Sequence, residues 1–146
     1  MAKIHSAEDT NLTSSIVTTR STPYKDIDLS LALNSTTGDI YVKKDAAAVK
    51  QSIKTLLLTN RFEKPFKPHF GANLQGLLFD LSEGNSGNQI ADRIVNVIQA
   101  FEPRAKVLSI KAIAVPNRNA VKVRVEFRVV NTQSVEIIET SISRVR

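Results

Sequence analysis

The sequence lacks cysteine, and it contains only two histidines among its 146 residues. Without cysteine the chain can form no disulfide, thiolate metal site or cysteine nucleophile, and this absence fits a reducing compartment. Neither His5 nor His69 has a second ligand at a metal-binding spacing. We therefore expect no metal site, no cofactor and no catalytic residues.

Long apolar runs are also missing. No run approaches the roughly 18 residues that a membrane span requires, and the Ser- and Thr-rich stretch Met1–Thr22 lacks the apolar core of a signal peptide. A polar segment of this kind cannot bury enough surface to order itself, so residues 1–22 are expected to form an extended N-terminal arm. We expect no membrane partner, and a protein that is made in the cytoplasm and used there or in an assembly formed there.

Positive charge exceeds negative charge, with 20 Lys and Arg against 14 Asp and Glu and a formal net charge of +6. Such an excess can attract nucleic acid or an acidic protein surface. The aromatic residues mostly precede Arg104, whereas the basic residues are concentrated in the last third of the chain, so the two types are not interleaved as in a stacking platform. We interpret the charge as favouring solubility and expect no nucleic-acid partner.

The first helical pattern begins at Asp45, whose carboxylate is expected to cap the free N–H groups. Val49, Ile53 and Leu56 recur at positions i, i+4 and i+7, which predicts an amphipathic helix to about Leu58.

Two further helices are predicted after a Pro-rich loop. The second carries one leucine face, made of Leu74, Leu77, Leu78 and Leu81. The third runs from near Asn88 to Phe101, and its apolar side consists of Ile90, Ile94, Val97, Ile98 and Phe101.

The last third of the chain predicts a three-stranded antiparallel meander. Lys106–Val115 is apolar at alternating and at intervening positions, which predicts a strand covered on both faces. Val121–Val129 alternates between apolar and charged residues, which predicts one buried and one exposed face. Val135–Ile142 is the final strand, in which the adjacent Ile137 and Ile138 indicate a bulge.

Extended segments between Tyr24 and Lys43 complete the pattern, so the order of elements is that of an α+β fold. Three helices are expected to pack on a small antiparallel sheet, followed by the C-terminal meander. The length favours one domain over residues 23–146.

Two short segments stand out because they combine proline with charged residues. Arg61–Gly71 contains two prolines and three phenylalanines, which predicts a stiff loop whose Phe side chains plug the core. Glu102-Pro103-Arg104 follows the third helix. It is either a charge pair at a helix-to-strand corner, which is costly unless matched, or a helix stop with two solvated charges. The residues by themselves favour the second interpretation.

Paired carboxylates can hydrolyse glycosides, and the chain offers four candidates by residue type: Glu63, Asp80, Glu83 and Glu102. No spacing forces two of them together. We therefore rank a glycosidase well below a surface role for these residues.

The order and spacing of several motifs resemble the small baseplate wedge family of contractile phage tails, long labelled "lysozyme-like" and also found in type VI secretion and R-type bacteriocin baseplates. The resemblance covers most of residues 24–143. Its pieces are Tyr24–Leu29, Gly38-Asp39-Ile40, Lys50–Leu57, Lys64–Gly71, Leu77–Asp80, Glu102-Pro103-Arg104 and the closing strands. The chain departs from the family in Arg61-Phe62, where a Gly often precedes the Glu, and in a longer N-terminal arm.

The resemblance implies a structural protein of the virion, located in the inner baseplate of the tail and assembled in the host cytoplasm. Its implied partners are other wedge-core proteins and the tail sheath subunit, whose assembly the family initiates, with tail hub or tube proteins as further candidates. The alternative is a muralytic, lysozyme-like glycoside hydrolase.

One set of site residues follows from the resemblance, and a second follows from the resemblance together with the alternation of Val121–Val129. Glu102, Pro103 and Arg104 are expected to bind the wedge-core partner, with the two charges pairing with a partner loop. The C-terminal sheet is expected to accept sheath strands by β-strand addition, and the residues assigned to this docking sheet are Val121, Val123, Val125, Phe127, Val129, Val135 and Ile137.

Overall fold

The computed structural model describes residues 22–77, 86–115 and 120–143 and has a mixed α+β architecture. In chain order the elements are β1 (Lys25–Ile27), β2 (Val42–Lys44), α1 (Asp45–Leu58), α2 (Leu74–Leu77), α3 (Ser86–Phe101), β3 (Ala105–Val115), β4 (Ala120–Val129) and β5 (Val135–Ser143). β1 pairs with β2, and β3, β4 and β5 form an antiparallel sheet in that order. The predicted α+β fold with a C-terminal meander is confirmed. The predicted arm, apart from Thr22, and the turn at 116–119 lie outside the described residues.

The core lies between one face of the β3–β4–β5 sheet and the helices α1 and α3. The alternation of β4 decides this arrangement, because every second side chain of the strand points into the core. The buried residues of β4 are Val121, Val123, Val125, Phe127 and Val129, none more than 2% exposed. The helices contribute apolar faces that include Val49, Ile53, Leu56, Ile90, Ile94 and Ile98.

Helix α1 has the predicted bounds, but its first residue acts differently from the prediction. The Asp45 N–H donates to the Tyr24 carbonyl at 2.8 Å, and Asp45 Oδ1 accepts from the Tyr24 N–H at 3.0 Å. The capping position, Lys44, makes no side-chain cap. The predicted Asp45 cap is therefore wrong: its carboxylate instead ties the segment before β1 to the start of the helix.

The other two helices agree with the sequence where the structure describes them. α3 begins at Ser86, two residues before the predicted start, and ends at Phe101. Phe101 packs edge-on against Phe70, with 5.3 Å between the ring centroids. α2 begins at Leu74, the first residue of the predicted leucine face, whereas Leu78 and Leu81 lie outside the described residues.

The strands correct two predictions. Leu108 and Ile113 are 47% and 62% exposed, so the predicted covering of both faces of β3 is wrong within the described chain. The register of β3 shifts between Val107 and Ser109, and the extra residue of this bulge explains two adjacent apolar side chains. The bulge predicted at Ile137 and Ile138 is also wrong, because β5 pairs with β4 in unbroken register.

The Pro-rich loop does not plug the core with its three Phe side chains. Phe62 and Phe66 are 77% and 102% exposed, and only Phe70 packs against the core cluster. The loop returns to α2 through Gly71, which has a φ of +105° and lies against the backbone of Thr59. A Cβ at this glycine would stand 2.4 Å from the Thr59 carbonyl oxygen.

Gly71→Ala is therefore expected to destabilise the fold by more than about 2 kcal/mol, since it combines backbone strain with a clash against immovable backbone. Gly38→Ala is the matched control, because Gly38 also has a positive φ (+70°) but has open space around its Cβ position. The control should lose about 1 kcal/mol. Urea unfolding of both variants measures the difference. Equal losses of unfolding free energy would show that the backbone at Thr59 shifts to make room for the added Cβ.

Candidate protein-binding surfaces

The corner between α3 and β3 holds a buried ion pair. Glu102 directly follows α3 and is 2% exposed. Its carboxylate accepts two hydrogen bonds from Arg104, one from Nε at 2.6 Å and one from Nη2 at 2.8 Å. Pro103 between them cannot continue the helix, and the chain turns here so that the guanidinium faces the carboxylate in bidentate geometry.

The pair is charged at neutral pH. Burial would raise the pKa of Glu102, but hydrogen bonds from Arg104 and Ser52 and the positive charge of Arg104 outweigh it and hold that pKa below the usual value. The hydrogen bond to Glu102 in turn raises the pKa of Arg104, against the opposing effect of burial. The interpretation of this motif as a helix stop with two solvated charges is wrong.

Arg104 extends the corner to distant parts of the chain. Its Nη1 lies 3.4 Å from Asp26 Oδ2 in β1, and its guanidinium carbon lies 5.4 Å from the centre of the Tyr24 ring. Its carbonyl accepts from the Val130 N–H at 2.9 Å. One side chain thus joins β1 to the corner, while its backbone holds the end of β4. Asp26 had no local signal in the sequence, because it lies 78 positions from Arg104.

The predicted wedge-core site is therefore a compact unit whose charges pair with each other. The Glu102 side chain is only 3% exposed, so it offers almost no surface to a partner loop. Pro103 is exposed and the Arg104 side chain is 27% exposed, so these two residues form the outer surface of the corner. The assignment of the corner to a wedge-core partner stays a prediction.

The predicted sheath-docking residues separate into two groups. Those in β4 face the core, and they are Val121, Val123, Val125, Phe127 and Val129. Val135 and Ile137 of β5 are 49% and 41% exposed and lie opposite Arg128 and Glu126 of the outer face. β4 is the central strand, so its backbone is paired on both sides, and only β3 and β5 could accept an added strand.

The two edge strands differ in how well they suit strand addition. β3 is interrupted by its bulge and carries Lys106 and Lys111, and natural proteins use both features to block edges. β5 carries Glu136 and Glu139, but it is nine residues long, keeps unbroken register with β4 and contains neither lysine nor proline. The β5 edge is therefore the better acceptor.

The outer face of the sheet, opposite the core, mixes charged and apolar side chains. Lys122, Arg124, Glu126 and Arg128 project from β4, and exposed Ile113 joins them from β3. Arg124 pairs with Glu139 of β5 at 3.1 Å, with both side chains at least half exposed, so the pair contributes little to stability. The apolar residues of this face were hidden in the sequence by the doubled pattern of β3.

The carboxylates considered for glycoside hydrolysis are engaged elsewhere. Glu63 accepts from the Asn60 backbone N–H at 2.7 Å and from its Nδ2 at 2.8 Å, which lowers the pKa of Glu63. Glu102 is held ionised by Arg104. A general acid requires a raised pKa, so neither suits that role. Asp80 and Glu83 lie outside the described residues.

The described residues, 22–77, 86–115 and 120–143, contain neither a cluster of metal-binding side chains nor a membrane-spanning helix. Within these ranges no three His, Asp or Glu side chains cluster closely enough to hold a metal ion. None of the helices in the same ranges is long and apolar enough to cross a membrane.

Comparison with known proteins identifies the class and then the family. The family model described as baseplate wedge protein gp25 matches residues 43–134. The chain is also 24% identical over 121 residues to the baseplate wedge protein gp25 of Enterobacteria phage T4, covering 82% of this chain and 91% of the phage protein. The class is that of structural components of contractile-tail baseplates. Within it, the chain belongs to the baseplate wedge protein gp25 family.

Solved structures support the fold. A protein named as a tail lysozyme from Geobacter sulfurreducens superposes with a TM-score of 0.60 at 21% identity, covering 67% of this chain and 89% of that chain. A chain of the anti-feeding prophage baseplate superposes with a TM-score of 0.58 at 16% identity, covering 85% and 88% of the two chains. These likenesses extend the shared fold beyond the residues that the family model matches.

Glu102→Gln should lower the free energy of unfolding by roughly 2–3 kcal/mol at neutral pH. This is less than the cost of breaking a completely buried pair, since Arg104 is partly exposed. The folded-state pKa of Glu102 lies below its ordinary value of 4.5, so the stabilisation is present above pH 4.5 and is lost as the pH falls through the lowered pKa. The unfolding free energies of wild type and variant should therefore converge as the pH falls, and urea unfolding at several pH values measures this.

Arg124→Gln is the control for that experiment, because it removes an exposed ion pair of similar length. It should change stability by less than about 1 kcal/mol. If Glu102→Gln behaves like Arg124→Gln at neutral pH, the corner is not the internal ion pair described here.

Proposed function

We propose that this baseplate wedge protein acts as a non-enzymatic scaffold with two jobs. It binds other wedge-core proteins through the α3–β3 corner, and it starts assembly of the tail sheath by accepting a strand from a sheath subunit on its C-terminal sheet. The observation that carries the proposal is the long, regular and unpaired edge of β5.

Strand addition supplies affinity through main-chain hydrogen bonds and register through alternating side chains. β5 offers nine residues in one continuous register, and its exposed Val135 and Ile137 provide apolar contacts on the outer face. The buried β4 residues support this role indirectly, since they anchor the central strand with which the β5 backbone pairs.

The corner suits recognition because it is rigid. A partner that contacts exposed Pro103 and the outer side of Arg104 meets a surface whose geometry the internal ion pair holds fixed. Pre-organisation of this kind reduces the entropy lost on binding. The wedge-core interaction therefore depends on the Glu102–Arg104 pair through position rather than through a direct salt bridge from Glu102.

Proline substitution tests the docking strand. Neighbouring N–H groups of β5 alternate between β4 and the open edge, so of Thr140→Pro and Ser141→Pro one breaks the ladder to β4 and the other alters only the edge. The edge-altering variant, recognised by its higher urea midpoint, should enter wedges normally yet form at least tenfold fewer sheathed particles in electron micrographs.

The alanine variant at the edge-altering position, Thr140→Ala or Ser141→Ala, serves as the control for loss of the side chain and should assemble sheath normally. Normal sheath growth on both proline variants would refute strand addition at β5.

The scaffold role also predicts that the purified chain does not hydrolyse peptidoglycan, because Glu63 and Glu102 are both held ionised by hydrogen bonds. Release of soluble muropeptides over hours at pH 5–7 is the measurement. Turnover that is abolished by Glu63→Gln or Glu102→Gln would instead establish the muralytic alternative.

A further inference from the structure

The loop at residues 59–71, termed the aromatic loop, holds two phenylalanines in solvent. Phe66 is fully exposed and Phe62 is 77% exposed. Phenylalanine is among the residue types most often found buried, and the core of this chain has taken only the third phenylalanine of the loop, Phe70. The exposed pair therefore has no role in the packing of the described chain.

Hydrogen bonds within the aromatic loop fix the exposed position. The Phe62 N–H donates to the Pro68 carbonyl at 2.9 Å and closes the loop. Glu63 accepts from both the backbone and the side chain of Asn60 at 2.7 and 2.8 Å. At the base, Phe70 packs edge-on against Phe101. The exposure of the two rings is thus built into a closed loop.

The backbone at both rings is strained. Phe62 and Phe66 have φ values of 68° and 63°, a region that bulky side chains rarely adopt. Such strain persists where surrounding contacts enforce it, and it is concentrated at ligand-binding sites. Here the hydrogen bonds of the loop enforce it, and the result is that both rings point away from the core.

The aromatic loop carries more positive than negative charge. Arg61, Lys64 and Lys67 belong to the loop, against Glu63, whose carboxylate is occupied by Asn60. Arg61 also lies close enough to the positively charged Arg93 to lower the pKa of Arg93, after the larger effect of burial. Among the described ion pairs, none involves the three basic residues of the loop. A complementary surface would carry carboxylates.

We propose that the aromatic loop is a third docking element, which inserts Phe62 and Phe66 into an apolar pocket with an acidic rim on another baseplate protein. Aromatic residues, including phenylalanine, are enriched in protein interfaces, which have an apolar core and a polar rim, and a pre-organised loop loses little entropy on binding. The proposal rests on the chain being a baseplate wedge protein and not on strand addition at β5.

Binding to baseplate wedges tests the proposal. Wedges purified from producer cells that lack this chain are titrated with the fluorescently labelled chain. The double variant Phe62→Ser/Phe66→Ser should fold, since both rings are exposed, and should bind at least tenfold more weakly. Phe66→Trp should retain binding, because it keeps a rigid aromatic anchor. Binding of the double variant within twofold of wild type overturns the proposal.

Two controls distinguish the aromatic loop from other exposed apolar surface and from the β5 edge. Leu33→Ser removes another exposed apolar side chain (67% exposed) and should leave wedge binding unchanged. The edge-altering proline variant of β5 should also bind wedges normally, so failure of strand addition and failure of the aromatic loop give different results. If Leu33→Ser weakens binding as much as the double variant, the effect is not specific to the loop and the proposal fails.

Photo-crosslinking identifies the occupant without requiring any loss of binding. Benzoylphenylalanine at position 66 in assembled baseplates should crosslink to another baseplate protein, at a peptide that combines apolar residues with Asp or Glu. A crosslink to residues 1–21 of this chain, to a second copy of it, or to no protein overturns the proposal.

Discussion

The Glu102–Arg104 ion pair is the constraint on which the rest of the structure depends. It closes the corner between the last helix and the C-terminal sheet, and it also reaches β1 through Asp26. A buried pair adds little net stability over an apolar substitute, but removing one partner leaves an uncompensated charge. Its value here is geometric, since it sets the direction in which β3 leaves α3 and thereby positions the whole sheet relative to the helices.

That position leaves the sheet covered on one side. The apolar face of β4 closes the core against α1 and α3, so the outer face and the β5 edge remain open in the described chain. This division suits the proposed scaffold role, in which one face supplies stability and the edge, the corner and the aromatic loop are the proposed contact surfaces. Glu63 and Glu102 serve stability in the same way, since their hydrogen bonds hold the aromatic loop and the corner in place.

The sequence predicted the elements well and the contacts poorly. The periodicities of α1 and β4 are local, so Asp45–Leu58 and the buried face of Val121–Val129 could be read directly. The Glu102–Arg104 pair joins residues only two positions apart, but it forms because the chain turns at Pro103, and its link to Asp26 spans 78 positions. Periodicity encodes neither contact. The sequence predicted that Phe62 and Phe66 are buried, because phenylalanine usually is. They are exposed because backbone hydrogen bonds and positive φ values direct the rings outward.

The proposed sheath role of this baseplate wedge protein depends on completion of its C-terminal sheet by a strand from another protein. The most direct measurement is an electron cryomicroscopy map of the assembled baseplate and first sheath ring from the native source, at a resolution that separates strands. The account predicts a fourth strand beside β5, about 4.8 Å away and supplied by a sheath subunit. A map in which the β5 edge contacts only solvent or a helix would contradict it.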